Sequence, residues 1–149
     1  MQAATELGVD EIVPWQAARS VSRWDSAKAQ KGRARWATIV REAAKQAHRA
    51  WLPEVSPLET TADLARRAAA SRVLILEPSA DQALTALQFT ADGGDIVLVV
   101  GPEGGIAPEE LEALGAAGAT RVRLGETVLR TSTAGPAALA VVSAALGRW

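Results

Sequence analysis

At 149 residues with 48% hydrophobic side chains, the chain is long enough for one domain with a sizeable core and too apolar to be disordered throughout. It has no cysteine, which excludes disulfides and thiolate metal sites, and no apolar run near the ~20 residues that a membrane-spanning helix needs. The formal net charge is −1, but nine Lys/Arg against two acidic residues lie between Arg19 and Arg49, whereas four Lys/Arg face nine Asp/Glu from Leu76 onward.

Gln2 to Leu7 reads as a helix end stopped by Gly8. Val9 to Val13 is a strand closed by Pro14, and Trp15 to Trp24 is irregular. Helical spacing begins at Asp25 or Ser26 and runs to about His48, with Trp36, Ile39, Val40, Ala43, Ala44 and Ala47 on one apolar stripe. His48, the sole histidine, sits where it complements the helix dipole. Glu54 to Ser56 is a short strand between prolines. Thr60 or Thr61 caps a helix to about Ala70. Val73 to Leu76 is a buried strand, Gln82 to Leu87 a short helix, Asp92-Gly93-Gly94 a turn, and Asp95 to Val100 the central strand. Pro108 opens the next helix, with Glu109 and Glu110 complementing its dipole, and the helix fades at Gly115 or Gly118. Thr120 to Arg123 is a strand, and an Ala-rich helix runs from Thr131 or Ser132 to about Leu146. This alternation predicts an α/β fold: a mostly parallel sheet with helices on both faces.

Two segments carry the chemistry. Val97 to Glu110 reads as a strand that stops at a glycine-rich turn and starts a helix, the geometry of a pocket at a sheet's carboxyl edge. Gly101, Gly104 and Gly105 let a ligand approach bare amides, and Pro102 stiffens the turn. Glu103 at its centre would repel a phosphate, and the run lacks the P-loop ending and the dinucleotide spacing. A neutral or cationic adenosine derivative fits better, and S-adenosylmethionine, with its positive sulfonium, is the natural candidate. The alternative is a tight turn carrying a surface carboxylate. The second segment is Arg121 to Gly135. Leu124-Gly125 ends a strand, Val128 and Leu129 offer apolar contact, and Arg130 stands beside Thr131, Ser132 and Thr133 at a helix start. That guanidinium can hold a phosphate or a developing anion, or pair with a surface acid, and the hydroxyls can simply cap the helix.

At these residues the chain resembles the SPOUT class of knotted RNA methyltransferases, and within it the type that methylates N3 of a uridine in small-subunit (16S) ribosomal RNA. Gly101-Pro102-Glu103-Gly104-Gly105 is similar to that family's glycine loop, and Leu124-Gly125 with Val128-Leu129-Arg130-Thr131 and Thr133-Ala134 to its knot motif. Thr5-Glu6-Leu7-Gly8-Val9 with Ile12 and Pro14 resembles its N-terminal signature. Trp36, the stretch Ile39 to Gln46, Arg49 and Pro53 resemble its basic helix. The chain departs from the pattern at Ser132, where the family usually has Glu, and at Glu126 and Thr127, where Pro or Arg is frequent.

The resemblance implies a C-terminal trefoil knot, and a single methyltransferase domain over residues 1–149 that lacks the family's N-terminal PUA-like domain and first strand. It implies S-adenosylmethionine as cofactor, held by Leu76, Glu77, Pro78, Gly101, Pro102, Glu103, Gly104, Gly105, Leu124, Gly125, Val128, Leu129 and Thr131. Arg130 and Glu103 are the candidate catalytic residues. Arg19, Arg23, Arg33, Arg35, Arg41, Lys45 and Arg49 are the candidate RNA contacts, unless they form only a solvated helix face. A cytoplasmic homodimer acting on the small ribosomal subunit, without membrane or metal, is the expectation. The competing readings are a ribose 2′-O-methyltransferase of the same class, a silent cofactor-binding or dimerisation module, and an unrelated nucleotide-binding α/β protein.

Overall fold

A computed structural model describes the whole chain, Met1–Trp149, as five helices and five strands. Helix α1 (Gln2–Glu6) leads to β1 (Glu11–Ile12), α2 (Ser26–Gln46), β2 (Glu54–Val55), α3 (Thr61–Arg67) and β3 (Arg72–Leu76). Then follow β4 (Ile96–Val100), α4 (Pro108–Ala116), β5 (Thr120–Val122) and α5 (Thr131–Ala145). All strand pairings are parallel. They form a two-stranded sheet, β1 beside β2, and a three-stranded sheet in the order β4-β3-β5.

Each residue of β3 alternates between two cores, as the period of two requires. Val73 and Ile75 point to one face with Leu64 of α3, Val99 of β4, Ile106 of the loop after β4, and Leu114 of α4. Leu74 and Leu76 point to the other with Leu84, Val122 of β5, and Ala138 and Val142 of α5. The expected sheet covered on both faces is therefore present. Two expectations need correction. The Ile96–Val100 strand is an edge strand and β3 is central, because an apolar run reports burial of a strand's faces and not its place in the sheet. The Gln82–Leu87 segment holds only a single 3-10 turn, Leu84–Ala86, since Leu84 N–H bonds the Arg123 carbonyl at 3.0 Å across a bridge to the β5 edge.

Four helices end alike. After α1, α2, α4 and α5 the chain turns through a left-handed residue, and the next amide reaches back to close the last turn: Val9 to Ala4, Arg49 to Ala44, Ala119 to Leu114 and Arg148 to Ser143. Glycine takes the left-handed position in three of them, but α2 uses His48, at φ 54°. The backbone at His48, more than its charge, is thus what this position demands. No helix is long and apolar enough to cross a membrane.

Candidate active site

The carboxyl ends of β3, β4 and β5 lie side by side, because the strands are parallel and Leu76 is in register with Val100 and Val122. The loops leaving those ends enclose a cavity of about 560 Å³. Leu76, Glu77 and Pro78 come from β3, Val100 to Glu103 with Gly105 and Ile106 from β4, and Leu124 with Thr127 to Ser132 from the segment between β5 and α5. Two of the expected cofactor residues, Gly104 and Gly125, do not line it. A Cβ on Gly104 would lie 3.4 Å from the Arg19 Cβ, so this glycine faces the Arg19 loop, and Gly125 (φ +66°) turns the chain outward. The others, with both candidate catalytic residues, are in the wall.

The glycines serve different ends. A Cβ on Gly101 would come 2.6 Å from Ile106 Cγ1, inside the buried core, so packing within the protein forbids a side chain there. Gly105 is at φ +77°, a conformation that L side chains rarely adopt; its amide donates to the Pro102 carbonyl at 2.8 Å and closes the turn. Gly105 thus uses the positive dihedral that glycine allows, with its amide spent on the turn, whereas Gly101 is small because Ile106 packs against it.

Glu103 is exposed and makes no ion pair. Glu77 is engaged, accepting from the Ser79 hydroxyl at 2.9 Å. Arg130 occupies the N-cap of α5 with extended backbone and forms no ion pair, leaving its guanidinium free at the cavity mouth. The hydroxyls after it do not cap α5. Thr131 instead donates to the Gly101 carbonyl at 3.4 Å, tying the second loop to the first. Pro136 within α5 has no N–H to give, which leaves the Ser132 carbonyl, on the cavity wall, without its helical partner.

The basic residues divide. Arg33 Nε donates to the Val55 carbonyl at 2.7 Å, and Arg49 donates to the Thr5 and Val9 carbonyls at 3.2 and 2.7 Å. These two guanidiniums are fastened to the protein's own backbone and so are poor candidates for a phosphate. Lys45 pairs with Glu42 at 3.2 Å. Arg35 and Arg41 are exposed on α2. Arg19 donates to the Gly104 carbonyl at 3.1 Å and Arg23 to the Ala18 carbonyl at 3.1 Å, both at the surface beside the glycine loop.

The sequence reading gave Glu110 only a helix-dipole role and missed its place as a buried acceptor. It is buried, and its carboxylate accepts from the Ala18 amide at 2.9 Å, the Thr61 hydroxyl at 2.8 Å and the Ala107 amide at 3.3 Å. A carboxylate three residues past the helix-flanking Ala107 was the available signal, since that place lets it reach back to the N-cap amide.

An open α/β sheet with a cleft at its strand ends, walled by a glycine loop and a loop carrying Arg130, defines a ligand-binding domain of nucleotide-handling type. The RNA methyltransferase domain model matches residues 1–143, and the chain belongs to that family. It is 47% identical over 154 residues to the ribosomal RNA small subunit methyltransferase E of Mycobacterium bovis, covering 100% of this chain and 58% of that protein. It is 37% identical to the protein of the same name from Bacillus subtilis, covering 96% of this chain and 59% of the other. The crystal structure of a ribosomal RNA small subunit methyltransferase E from Neisseria gonorrhoeae bound to S-adenosyl methionine superposes with a TM-score of 0.87 at 33% identity, over 97% of this chain and 59% of that one. The chain thus spans somewhat under three fifths of the length of these relatives.

Proposed function

We propose that this chain is the methyltransferase domain of an S-adenosylmethionine-dependent enzyme that methylates N3 of a uridine in small-subunit ribosomal RNA. The observation that carries the reading is the 560 Å³ cavity at three parallel strand ends, walled by the two loops whose motifs resemble that family. The walls suit a cationic nucleoside. Val100, Ile106, Leu124, Val128 and Leu129 supply apolar surface, while Glu103 supplies uncompensated negative charge. S-adenosylmethionine, when bound, supplies an electrophilic methyl group on a positive sulfur.

The chain's own residues have two tasks. Uracil N3 carries a proton and is a poor nucleophile until it is lost. Glu103 and Arg130 line the cavity. In this reading Glu103 accepts that proton, and Arg130 holds an RNA phosphate or a uracil oxygen as negative charge develops. The enzyme works in the cytoplasm as a homodimer, and recognition of the intact subunit draws on the PUA-like domain that this family carries.

The test is tritium transfer from labelled S-adenosylmethionine into small ribosomal subunits, using this chain and this chain joined to the N-terminal domain of a relative. N3-methyluridine in the nucleoside digest is the expected product. Arg130→Ala and Glu103→Gln should each lower the rate by about 100-fold without loss of folding. Formation of 2′-O-methyluridine would assign the chain to ribose methylation, and cofactor binding with no product from either form would make it a silent module. Calorimetry that finds ATP or NAD bound and S-adenosylhomocysteine not bound would overturn the reading.

A further inference from the structure

A second hollow, of about 290 Å³, lies beside the cavity and shares two wall residues with it, Pro102 and Glu103. Three of the chain's five tryptophans, Trp15, Trp24 and Trp36, line it. Aromatic walls next to a methyl-transfer cavity, at the same carboxylate, ask what planar group they receive. Resting on the methyltransferase reading, we propose that this groove is the acceptor-base subsite, which takes one unstacked pyrimidine of a single-stranded RNA segment and presents it to the cavity at Glu103.

The groove is built, not incidental. The Trp24 ring lies where α2 has a glycine: a Cβ on Gly32 would come within 2.6–2.8 Å of three ring carbons. Glycine inside a helix is unfavourable relative to alanine, and the indole occupies the notch so made. Trp24 meets Trp36 edge-to-face at 5.4 Å and 72°. The Trp15 indole N–H donates to Thr61 Oγ1 at 3.2 Å, and that hydroxyl donates in turn to Glu110, which also holds the Ala18 amide. Gln16 is spent on the loop itself, accepting from the Trp24 amide and donating to the Ser22 carbonyl. Three separate devices thus hold the indoles in place before any ligand arrives.

The remaining chemistry of the groove favours a base on a phosphate strand over an apolar peptide. Ser20 Oγ accepts from the Ala17 amide, so its O–H is left to donate, and Ser22 Oγ makes no hydrogen bond within the protein. Two hydroxyls on a π-walled groove match the carbonyl oxygens of a pyrimidine and leave its N3–H to Glu103. Lys28, Lys31 and Arg35 are exposed on the adjoining helix, and Arg19 and Arg23, each using one guanidinium nitrogen on a backbone carbonyl, bracket this stretch at the surface. That is the charge a phosphate backbone requires, and sequence-specific RNA recognition commonly splays a base onto aromatic rings. The groove has roughly half the volume of the cavity, so the two suit a base and a whole cofactor respectively.

The experiment follows the intrinsic tryptophan fluorescence of the full chain, titrated at fixed salt with a short oligouridylate, with an abasic ribose-phosphate strand of equal length, and with adenosine. Oligouridylate should quench the emission, and the abasic strand should not. Trp24→Ala and Ser22→Trp, which respectively remove a wall and fill the groove from an exposed position, should each weaken oligouridylate binding by about tenfold or more. Calorimetric affinity for S-adenosylhomocysteine should stay within about twofold in both, which keeps the cofactor site separate from the test. Equal binding of the abasic strand, or undiminished oligouridylate binding by Ser22→Trp, would overturn the assignment. Quenching by adenosine alone that Ser22→Trp abolishes would give the groove to the cofactor's base instead. Quenching on concentrating the chain alone, with a dimer in sedimentation, would give it to a second copy. Failure of the unaltered chain to bind S-adenosylhomocysteine would sink the methyltransferase reading, a separate result.

Discussion

Glu110 takes hydrogen bonds from three segments: the loop carrying Trp15 to Trp24, the first turn of α3, and the entry to α4. Removing it leaves two amides and a hydroxyl without their acceptor, so Glu110→Ala should cost about 2–3 kcal/mol in urea unfolding. Glu110→Gln keeps an acceptor oxygen and should cost less. Gly101 and Gly105 should respond to alanine for unlike reasons. Gly101→Ala forces buried Ile106 to move and should destabilise by about 1–3 kcal/mol. Gly105→Ala meets open space near Arg19 but demands a left-handed backbone, at about 1–2 kcal/mol. Urea midpoints of the two variants check both figures. A destabilisation of Gly101→Ala by less than half a kcal/mol would show that Ile106 yields easily.

At the scale of elements, α2 is where local propensity and tertiary fit part company. It ends on His48 in a left-handed position that glycine takes after three other helices. His48 is exposed and its ring makes no hydrogen bond or ion pair, so His48→Gly should relieve the strain and stabilise the protein by about 0.5–1 kcal/mol. Gly32, in the interior of the same helix, behaves oppositely. Propensity alone favours alanine there by roughly 1 kcal/mol, but the new methyl would strike the Trp24 ring. Gly32→Ala should therefore destabilise, or leave stability level while shifting tryptophan emission to the red as Trp24 is expelled. A stabilised variant with unchanged emission would contradict the packing described.

The whole molecule is held partly by a charge network that links β1, the segment between β2 and α3, and α3 itself. Arg67 donates to Glu59 at 2.6 Å and to Glu11 at 2.8 Å, and Glu11 also accepts from buried Ser56. The Arg67 guanidinium, with help from Ser56 and against the effect of burial, holds the Glu11 carboxyl below its ordinary value of 4.5, while the two carboxylates raise Arg67. Because the folded value is lowered, the unfolded chain binds the Glu11 proton more readily. The stability is present in full above pH 4.5 and is lost as pH falls through the lower folded value. Arg67→Ala should cost about 2 kcal/mol near neutral pH and should flatten the acid limb of a urea-midpoint profile. An acid limb as steep as that of the unaltered protein would place the dependence elsewhere.

Much of this organisation was legible in residue order because it is local. The caps at Thr60 and Gly8, the stripe on α2, the strand read at Val73–Leu76 and the glycine turn after Val100 depend on neighbours within a few positions. The three segments that wall the cavity were named through the family resemblance, and all but Gly104 and Gly125 of the residues so named line it. Glu110 and Arg67 were not, because their partners lie far along the chain, Ala18 and Glu11 among them. Nor was the division among the basic residues. Arg33, Arg49, Arg35 and Arg41 look alike in the sequence, and only packing decides which of them finds a backbone carbonyl. Local chemistry therefore determined the elements and the two loops that form the cleft. Tertiary structure alone decided that β3 is central, that Gly101 is small for Ile106 and Gly32 for Trp24, and that three distant indoles share one groove. Those outcomes depend on how side chains from different loops and elements meet in three dimensions, which no periodicity encodes.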